Sequence, residues 1–405
     1  MMERPLYRAL AEALARSKAM VFMSGPRQAG KTTLAKAVAG GYPASLYFNW
    51  DIREDRARLL NNPSFFTDLD HPSAEAPLIV LDEIHKYRRW KNYLKGIYDA
   101  HADRYRFLVL GSGRLNIFQR GGDSLAGRYF MFSVWPFTIA ELMNRRRSIE
   151  DLRRDPLDAP PPDDRGGRLW KQLGERSGFP EPFLADTPEV YRRWSSSYHQ
   201  QLIREDIRDA TDLKRLDDLE ALSLLLPSKA GSPLSIESLA RDIEVSFKTV
   251  QAWMEVLERF YLCFRLRPWF HNIARGLKKQ AKLYLYDYPQ IESPAARFEN
   301  MVAVELWRAV SHWNEWGWGV YDLCYIRNKD GQEVDFLITE RRRPWLLIEA
   351  KEADTEAAPA LRKFQERLKI PALQLVNRPG VSRRDRRGDM DISVRTASDW
   401  LSGLP

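Results

Sequence analysis

Eight residues, GPRQAGKT from Gly25 to Thr32, fit the spacing G-x-x-x-x-G-K-[ST] in full. Glycines at the two ends let backbone N–H groups come close to an anion, and a helix starting where the loop ends adds its positive N-terminus. That combination is a phosphate cradle. Gly25, Pro26, Arg27, Gln28, Ala29 and Gly30 would wrap the phosphates with main chain, and Thr33 would continue the helix start. Lys31 would reach the β- and γ-phosphates, and the Thr32 hydroxyl would ligate Mg²⁺.

Its expected complement is APLIVLDEIH, four apolar strand residues ending in Asp82 and Glu83. An acidic pair closing a buried strand is costly unless a cation is near. Asp82 would hold Mg²⁺ through its water shell, and Glu83 would polarise the attacking water. NKDG at 328–331 has glycine where a guanine signature needs aspartate, so the expected nucleotide is ATP. Ser112, ending RFLVLGS, is placed to sense the γ-phosphate. Arg128, in LAGRYF, is placed to stabilise transition-state charge, in cis or from a neighbouring subunit.

A second group of charges lies in GQEVDFLITERRRPWLLIEAK, residues 331–351. A hairpin turning at Arg342 sets Asp335 opposite Glu349 and Glu333 opposite Lys351. Side chains alternate faces along a strand, so Asp335, Glu349 and Lys351 share one face and Val334, Phe336, Ile338, Leu346 and Ile348 fill the other. Two carboxylates that close repel unless a cation lies between them, and hard oxygen ligands suit Mg²⁺ or Mn²⁺. The alternative is a solvated sheet face with a Glu–Lys cross-strand pair.

The elements that must position these residues follow from periodicity. Between 19 and 143, short runs rich in Val, Ile, Leu and Phe alternate with stretches of helical length, the pattern of a parallel sheet covered on both faces. Residues 144–168 are charged and rich in Pro and Gly, and read as a linker or mobile loop. Amphipathic spacing returns from Pro188 to about Leu226. Ser235 caps a helix through Ile243, EVS makes a tight turn, a second helix runs through Leu257, and two strand-like runs follow; together these describe a winged helix-turn-helix. From Arg259 to Lys282 there are seven Lys or Arg and no Asp or Glu, interleaved with Phe260, Tyr261, Phe264, Trp269 and Phe270. That stretch suits phosphate contact and base stacking, and makes DNA the expected partner.

Bulk properties agree. The 405 residues exceed one ordinary core, and the net charge of +8 favours a polyanion partner. Two cysteines, Cys263 and Cys324, supply no disulfide framework. No signal-peptide core and no long apolar window occur, so a cytoplasmic protein without a membrane span is expected.

The segments SGPRQAGKTTLAKAV, LIVLDEIHK, FLVLGSGRLNIF, LAGRYFMFSVWPFTIAEL and GFPEPFL resemble bacterial and archaeal AAA-type ATPases whose C-terminal half is a domain of unknown function, DUF4143. The likeness continues to RFENMVAVELW, YIRNKDGQEVDFLI and LLIEAK, and departs at LYLYDYPQI, where such proteins usually carry a Gly-containing turn. It implies an α/β fold: a P-loop NTPase core of AAA type over 1–145, a linker and helical lid over 146–214, a winged helix over 215–290, and a restriction-endonuclease-like domain over 291–405. It also implies the D…E-x-K layout of PD-(D/E)xK nucleases, in which Asp335 and Glu349 bind the metal, Glu299 on the preceding helix completes the acidic set, and Lys351 serves the attacking water. A homo-oligomer is implied, with a protein partner as a further option. The expected function is an ATP-hydrolysing enzyme acting on DNA. Its rival is a nucleotide-switched regulator whose nuclease-like fold docks DNA or a protein without cleaving.

Overall fold

The computed structural model describes residues 7–69, 75–111, 125–185, 187–208, 211, 213, 215–270, 280–387 and 390–405, together with Arg4. These fall into two compact units, 1–136 with 259–261, and 137–258 with 262–405.

The first unit is built on five strands: β1 Met20–Ser24, β2 Ser45–Asn49, β3 Leu78–Asp82, β4 Arg106–Leu110 and β5 Tyr129–Ser133. They lie in the order β2-β3-β4-β1-β5, and every pairing is parallel. All five residues of β1 and of β3 are buried, which is why both read as unbroken apolar runs. Phe22, Phe48, Ile79, Leu81, Phe107 and Val109 form the centre of one core cluster. Burying each such side chain stabilises by about 1.5–3 kcal/mol. Parallel strands end on a common edge, so the loops after β1 and β3 come together there.

The second unit corrects the expected linker. Residues 144–168 are packed. Ser148 caps a helix, Ile149–Arg154, by accepting from the Asp151 amide at 3.0 Å, and Leu152 and Leu157 are fully buried. The charges of this segment are spent in pairs: Arg153 donates to Tyr321 (2.8 Å) and Glu340 (2.9 Å), and Asp155 pairs with Arg384 (2.6 Å). The departure at LYLYDYPQI becomes a short 3₁₀ turn, Tyr288–Gln290, and the buried Asp287 before it accepts from Ser195 (2.7 Å) and Tyr191 (3.2 Å).

A 22-residue helix, Pro294–Glu315, capped by Ser293, feeds a six-stranded mixed sheet. Its strands are β8 Tyr321–Arg327, β9 Glu333–Glu340, β10 Arg343–Lys351, β11 Ala372–Val376, β12 Ser382–Arg387 and β13 Met390–Thr396. The order is β12-β13-β11-β10-β9-β8. Strands β9 and β10 form the expected hairpin, but its turn is Arg341–Arg342, both at positive φ (48° and 67°), half a residue earlier than expected. A bulge between Pro344 and Leu346 then restores the expected register, with Ile338 facing Leu346 and Phe336 facing Ile348.

One buried acid on the long helix gives the second unit a pH dependence. Glu305 accepts from the Ile139 amide at 2.8 Å, and burial pushes its carboxyl up to about 7 despite Arg308 nearby, with Glu141 adding to the rise. A folded value above the ordinary 4.5 means that stability is fully present below about 4.5 and lost as pH rises through about 7. Glu305→Gln keeps the acceptor and removes the titration. Thermal unfolding should show the variant gaining on wild type between about pH 5 and about pH 8, by on the order of 1–3 kcal/mol at the upper end. A residual slope of the same sign should persist, because Glu299 and Glu349 are also pushed up to about 7.

Candidate nucleotide site and the C-terminal acidic cluster

The nucleotide site sits on the C-terminal edge of the parallel sheet. Strand β1 ends at Ser24, Gly25 turns the chain at φ 141°, and Gly30 at φ 89° opens the helix Lys31–Ala39. Gly25 must be glycine, since a Cβ there would lie 2.2 Å from the Val134 carbonyl oxygen. Lys31 Nζ donates to the carbonyls of Gly25 (2.9 Å) and Pro26 (2.6 Å), so it already lies over the loop.

Thr32 Oγ1 donates to Asp82 Oδ2 at 3.0 Å, which brings the two expected Mg²⁺ residues together from loop and strand. Asp82 is only 5% exposed, and burial pushes its carboxyl up. Glu83 follows in the left-handed region at φ 55°, its carboxylate held by Lys86 (3.2 Å) and His85 (3.4 Å). A Mg²⁺–nucleotide fits this set: a buried carboxylate and a hydroxyl in contact, beside a nine-residue helix whose N-terminus opens from a glycine. Thr32 and Asp82 would hold Mg²⁺, which would supply neutralisation of phosphate charge.

Three contributors to this site carry no motif. Tyr47, on β2, donates its hydroxyl to Asp82 Oδ2, the same oxygen that accepts from Thr32. Arg4 donates to the Ala29 carbonyl (2.8 Å) and the Trp135 carbonyl (2.7 Å), tying the loop to the segment after β5. Tyr261, at φ 58°, places its hydroxyl 3.2 Å from Ser24 Oγ and its ring edge-on to Trp135.

Arg128 requires a correction. Its backbone accepts from Met20, the first residue of β1, and its guanidinium pairs with Asp99 at 2.8 Å. It therefore stands at the start of the parallel strands, opposite the edge that carries the loop, and does not serve this chain's own site in cis. Ser112 lies outside the described residues.

The C-terminal charges come together, but around a cation that the chain itself supplies. Asp335 and Glu349 are 9% and 3% exposed, so the solvated-face alternative does not hold. Glu349 Oε2 accepts from the Asp335 amide (3.3 Å), and Asp335 Oδ2 accepts from the Ala350 amide (3.1 Å). Lys282, from strand β7 (Lys282–Leu285), is 2% exposed. Its Nζ lies 3.0 Å from Asp335, 2.9 Å from Glu299 and 2.7 Å from Glu333. Burial works to strip its proton, yet Asp335, Glu299 and Glu333 together hold its pKa above the ordinary lysine value. Tyr284 also donates to Glu299 (2.8 Å). Lys351 pairs with Glu349 at 2.6 Å rather than with Glu333. Burial, and then Asp335, push both Glu299 and Glu349 up to about 7.

A metal held by Glu299, Asp335 and Glu349 does not fit this arrangement. The Lys282 ammonium lies between Asp335 and Glu299, Glu349 is paired with Lys351, and among the described residues no group of three or more His, Cys, Asp or Glu could hold a metal ion.

The helix-turn-helix forms as its caps dictate. Ser235 accepts from Ser238 (3.1 Å) to start the helix Ile236–Asp242, Glu244 turns at φ 52°, and Ser246 accepts from Thr249 (3.1 Å) to start Phe247–Arg259. Val250, Trp253, Met254 and Leu257 are buried, while Phe247, Lys248 and Gln251 are exposed. The basic stretch after it differs from expectation. Phe260, Tyr261 and Phe264 are buried, Arg265 is held by Glu258 through two bonds (2.7 and 2.8 Å), and Lys282 is in the acidic cluster. Arg275, Lys278 and Lys279 lie outside the described residues. Strands β6 (Cys263–Leu266) and β7 pair antiparallel, with Leu266 facing Lys282.

Comparison with known proteins assigns these parts. Residues 17–143 match the model of an AAA domain, 167–288 a domain of unknown function (DUF8612), and 295–395 a domain of unknown function (DUF4143). An uncharacterized protein of Mycobacterium tuberculosis is 25% identical over 268 residues, which are 66% of this chain and 54% of that protein. One from Methanocaldococcus jannaschii is 23% identical over 296 residues, 67% of this chain and 61% of that protein. The chain thus spans little more than half the length of these relatives. Among solved structures, a DNA polymerase III gamma subunit-related protein of Thermotoga maritima aligns at 11% identity and TM-score 0.29, covering 63% of this chain and 98% of that one. Cdc6p of Pyrobaculum aerophilum aligns at 12% identity and TM-score 0.26, covering 65% and 88%. Among the described residues no helix is long and apolar enough to cross a membrane.

Proposed function

We propose that this chain, with an AAA domain at 17–143 and a DUF4143 region at 295–395, hydrolyses ATP and uses the nucleotide cycle to control a C-terminal half that docks duplex DNA without cutting it. The observation that carries the ATP reading is the Thr32–Asp82 contact on the strand edge where the Gly25–Thr32 loop opens, with Glu83 next in line. Lys31, Thr32 and Asp82 would hold the Mg²⁺–ATP, and Glu83 would act on the attacking water. A homo-oligomer is the arrangement in which Arg128 would serve a neighbouring copy's phosphates.

The docking reading rests on the second helix of the pair, whose Phe247, Lys248 and Gln251 are exposed at its N-terminal end while its other face is core. Docking is favoured over cleavage because a lysine stands between the carboxylates that a nuclease-like centre would give to metal. Mn²⁺ has no role in this reading. Mobility shifts on a short duplex across a salt series test it. Lys248→Glu should weaken binding for all sequences alike and flatten the log–log salt slope by about one. Binding that is absent, or indifferent to this substitution, would leave the ATP site with some other partner.

A further inference from the structure

We propose that Lys282 is the resident cation of the acidic cluster, an ammonium standing between Glu299, Glu333 and Asp335 that excludes divalent metal and fastens strand β7 to the C-terminal sheet. The stoichiometry supports this. A lysine ammonium has three N–H donors, and the three carboxylates accept at 2.9, 2.7 and 3.0 Å, so its donor set is filled. The carboxylates come from two elements, Glu299 from the long helix and Glu333 and Asp335 from β9, and without a cation they would repel. A buried charge removed from such a set leaves the others uncompensated, which costs far more than an exposed pair.

Metal and lysine compete for one position. A divalent ion needs carboxylate oxygens at about 2.1 Å and open coordination positions. An ammonium already within 3.0 Å of Asp335 and Glu299 supplies neither, and it repels a second cation strongly in a buried site. The same contact is structural. Two residues on from Lys282, Tyr284 donates to Glu299 and lies 5.9 Å, ring to ring, from Phe336, so these two side chains pin β7 twice to Glu299 of the helix and three times to β9. Strand β7 pairs with β6, which follows the second helix of the pair, so the fastening holds that two-stranded hairpin to the C-terminal sheet.

The test uses the full chain without nucleotide: wild type, Asp335→Asn, Lys282→Met, and Lys282→Met combined with Asp335→Asn, each titrated with Mn²⁺ by calorimetry and thermal unfolding. Wild type and Asp335→Asn should give the same Mn²⁺ response, because the metal has no access to Asp335. Lys282→Met should unfold several degrees lower and gain saturable Mn²⁺ binding at least tenfold tighter than wild type, lost again in the double variant. If Lys282→Met does not fold, Lys282→Arg keeps the charge and should remain indifferent to Mn²⁺, and the first pair still decides. Mn²⁺ stabilisation of wild type that Asp335→Asn abolishes would overturn the proposal, as would a folded Lys282→Met without any Mn²⁺ site. ATP turnover of the same variants, expected to match wild type, reports on the nucleotide reading separately.

Discussion

Glu83→Gln should lower steady-state ATP turnover by about 10²–10⁴-fold while ATP binding stays within a few-fold of wild type. The residues proposed to hold Mg²⁺, Asp82 and Thr32, keep their mutual contact in this variant. What the amide loses is the ability to take a proton or orient the water's lone pairs. The carboxylate is also held in place, by Lys86 at 3.2 Å and His85 at 3.4 Å, on a backbone fixed in the left-handed region. Glutamine keeps that shape but not the charge that pairs with Lys86, so retained ATP binding is the check that the loop has not moved. Phosphate release and equilibrium binding of a fluorescent ATP analogue, measured on the same preparation, separate the two effects. Equal turnover by both proteins would remove Glu83 from the chemistry and leave Asp82 as the acid to examine.

The sequence made this acid visible because the whole signal is local: an apolar strand, two acids, and a glycine loop at fixed spacing. The hairpin of β9 and β10 was legible for a similar reason, parity along two strands. Its turn carries no signal in the sequence, because Arg341 and Arg342 both adopt positive φ where glycine or asparagine would have marked the site. The bulge at Pro344 absorbs the offset of the turn before it reaches Asp335 and Glu349.

What was not legible depended on partners far apart in the chain. Seven Lys or Arg without an acid over 259–282 suggest an open basic surface, but Glu258, one residue before the stretch, pairs with Arg265. Lys282 finds its carboxylates 17 and 53 residues away, at Glu299 and Asp335, which no window on the sequence joins. Residues 144–168 looked like a linker by composition, yet Arg153, Asp155 and the buried Leu152 and Leu157 make that segment part of the second unit. Arg128 shows a different limit. Its residue type fits a catalytic role, but only the parallel register of β1 and β5 reveals that it lies at the wrong end of the strands. Tyr47 and Arg4 belong to no motif, and only their contacts with Asp82 and the Ala29 carbonyl tie them to the site.

Gly25→Ala should reduce ATP affinity at least a hundredfold, about 3 kcal/mol, although it adds a single methyl group. At φ 141° the backbone lies where L side chains are strained, and the new Cβ would meet the Val134 carbonyl oxygen at 2.2 Å. That oxygen cannot swing away as a side chain would. Val134 donates to the Ser24 carbonyl at 2.8 Å and follows β5, which is paired to β1 along its whole length. The clash can be relieved only by moving the first residues of the loop, and Lys31 with them, since its ammonium is held by the Gly25 and Pro26 carbonyls. Binding should therefore suffer more than stability. Gly96→Ala supplies the control in the same unit: it lies in the helix Trp90–His101 with nothing within 4 Å of the added carbon. That change should stabilise the helix by up to about 1 kcal/mol and leave nucleotide binding intact. Calorimetric titration with ATP and Mg²⁺, beside thermal unfolding of both variants, reads the contrast. Wild-type affinity in Gly25→Ala would mean that the loop adapts without cost, and the close approach at Gly25 would lose its role in shaping the phosphate cradle.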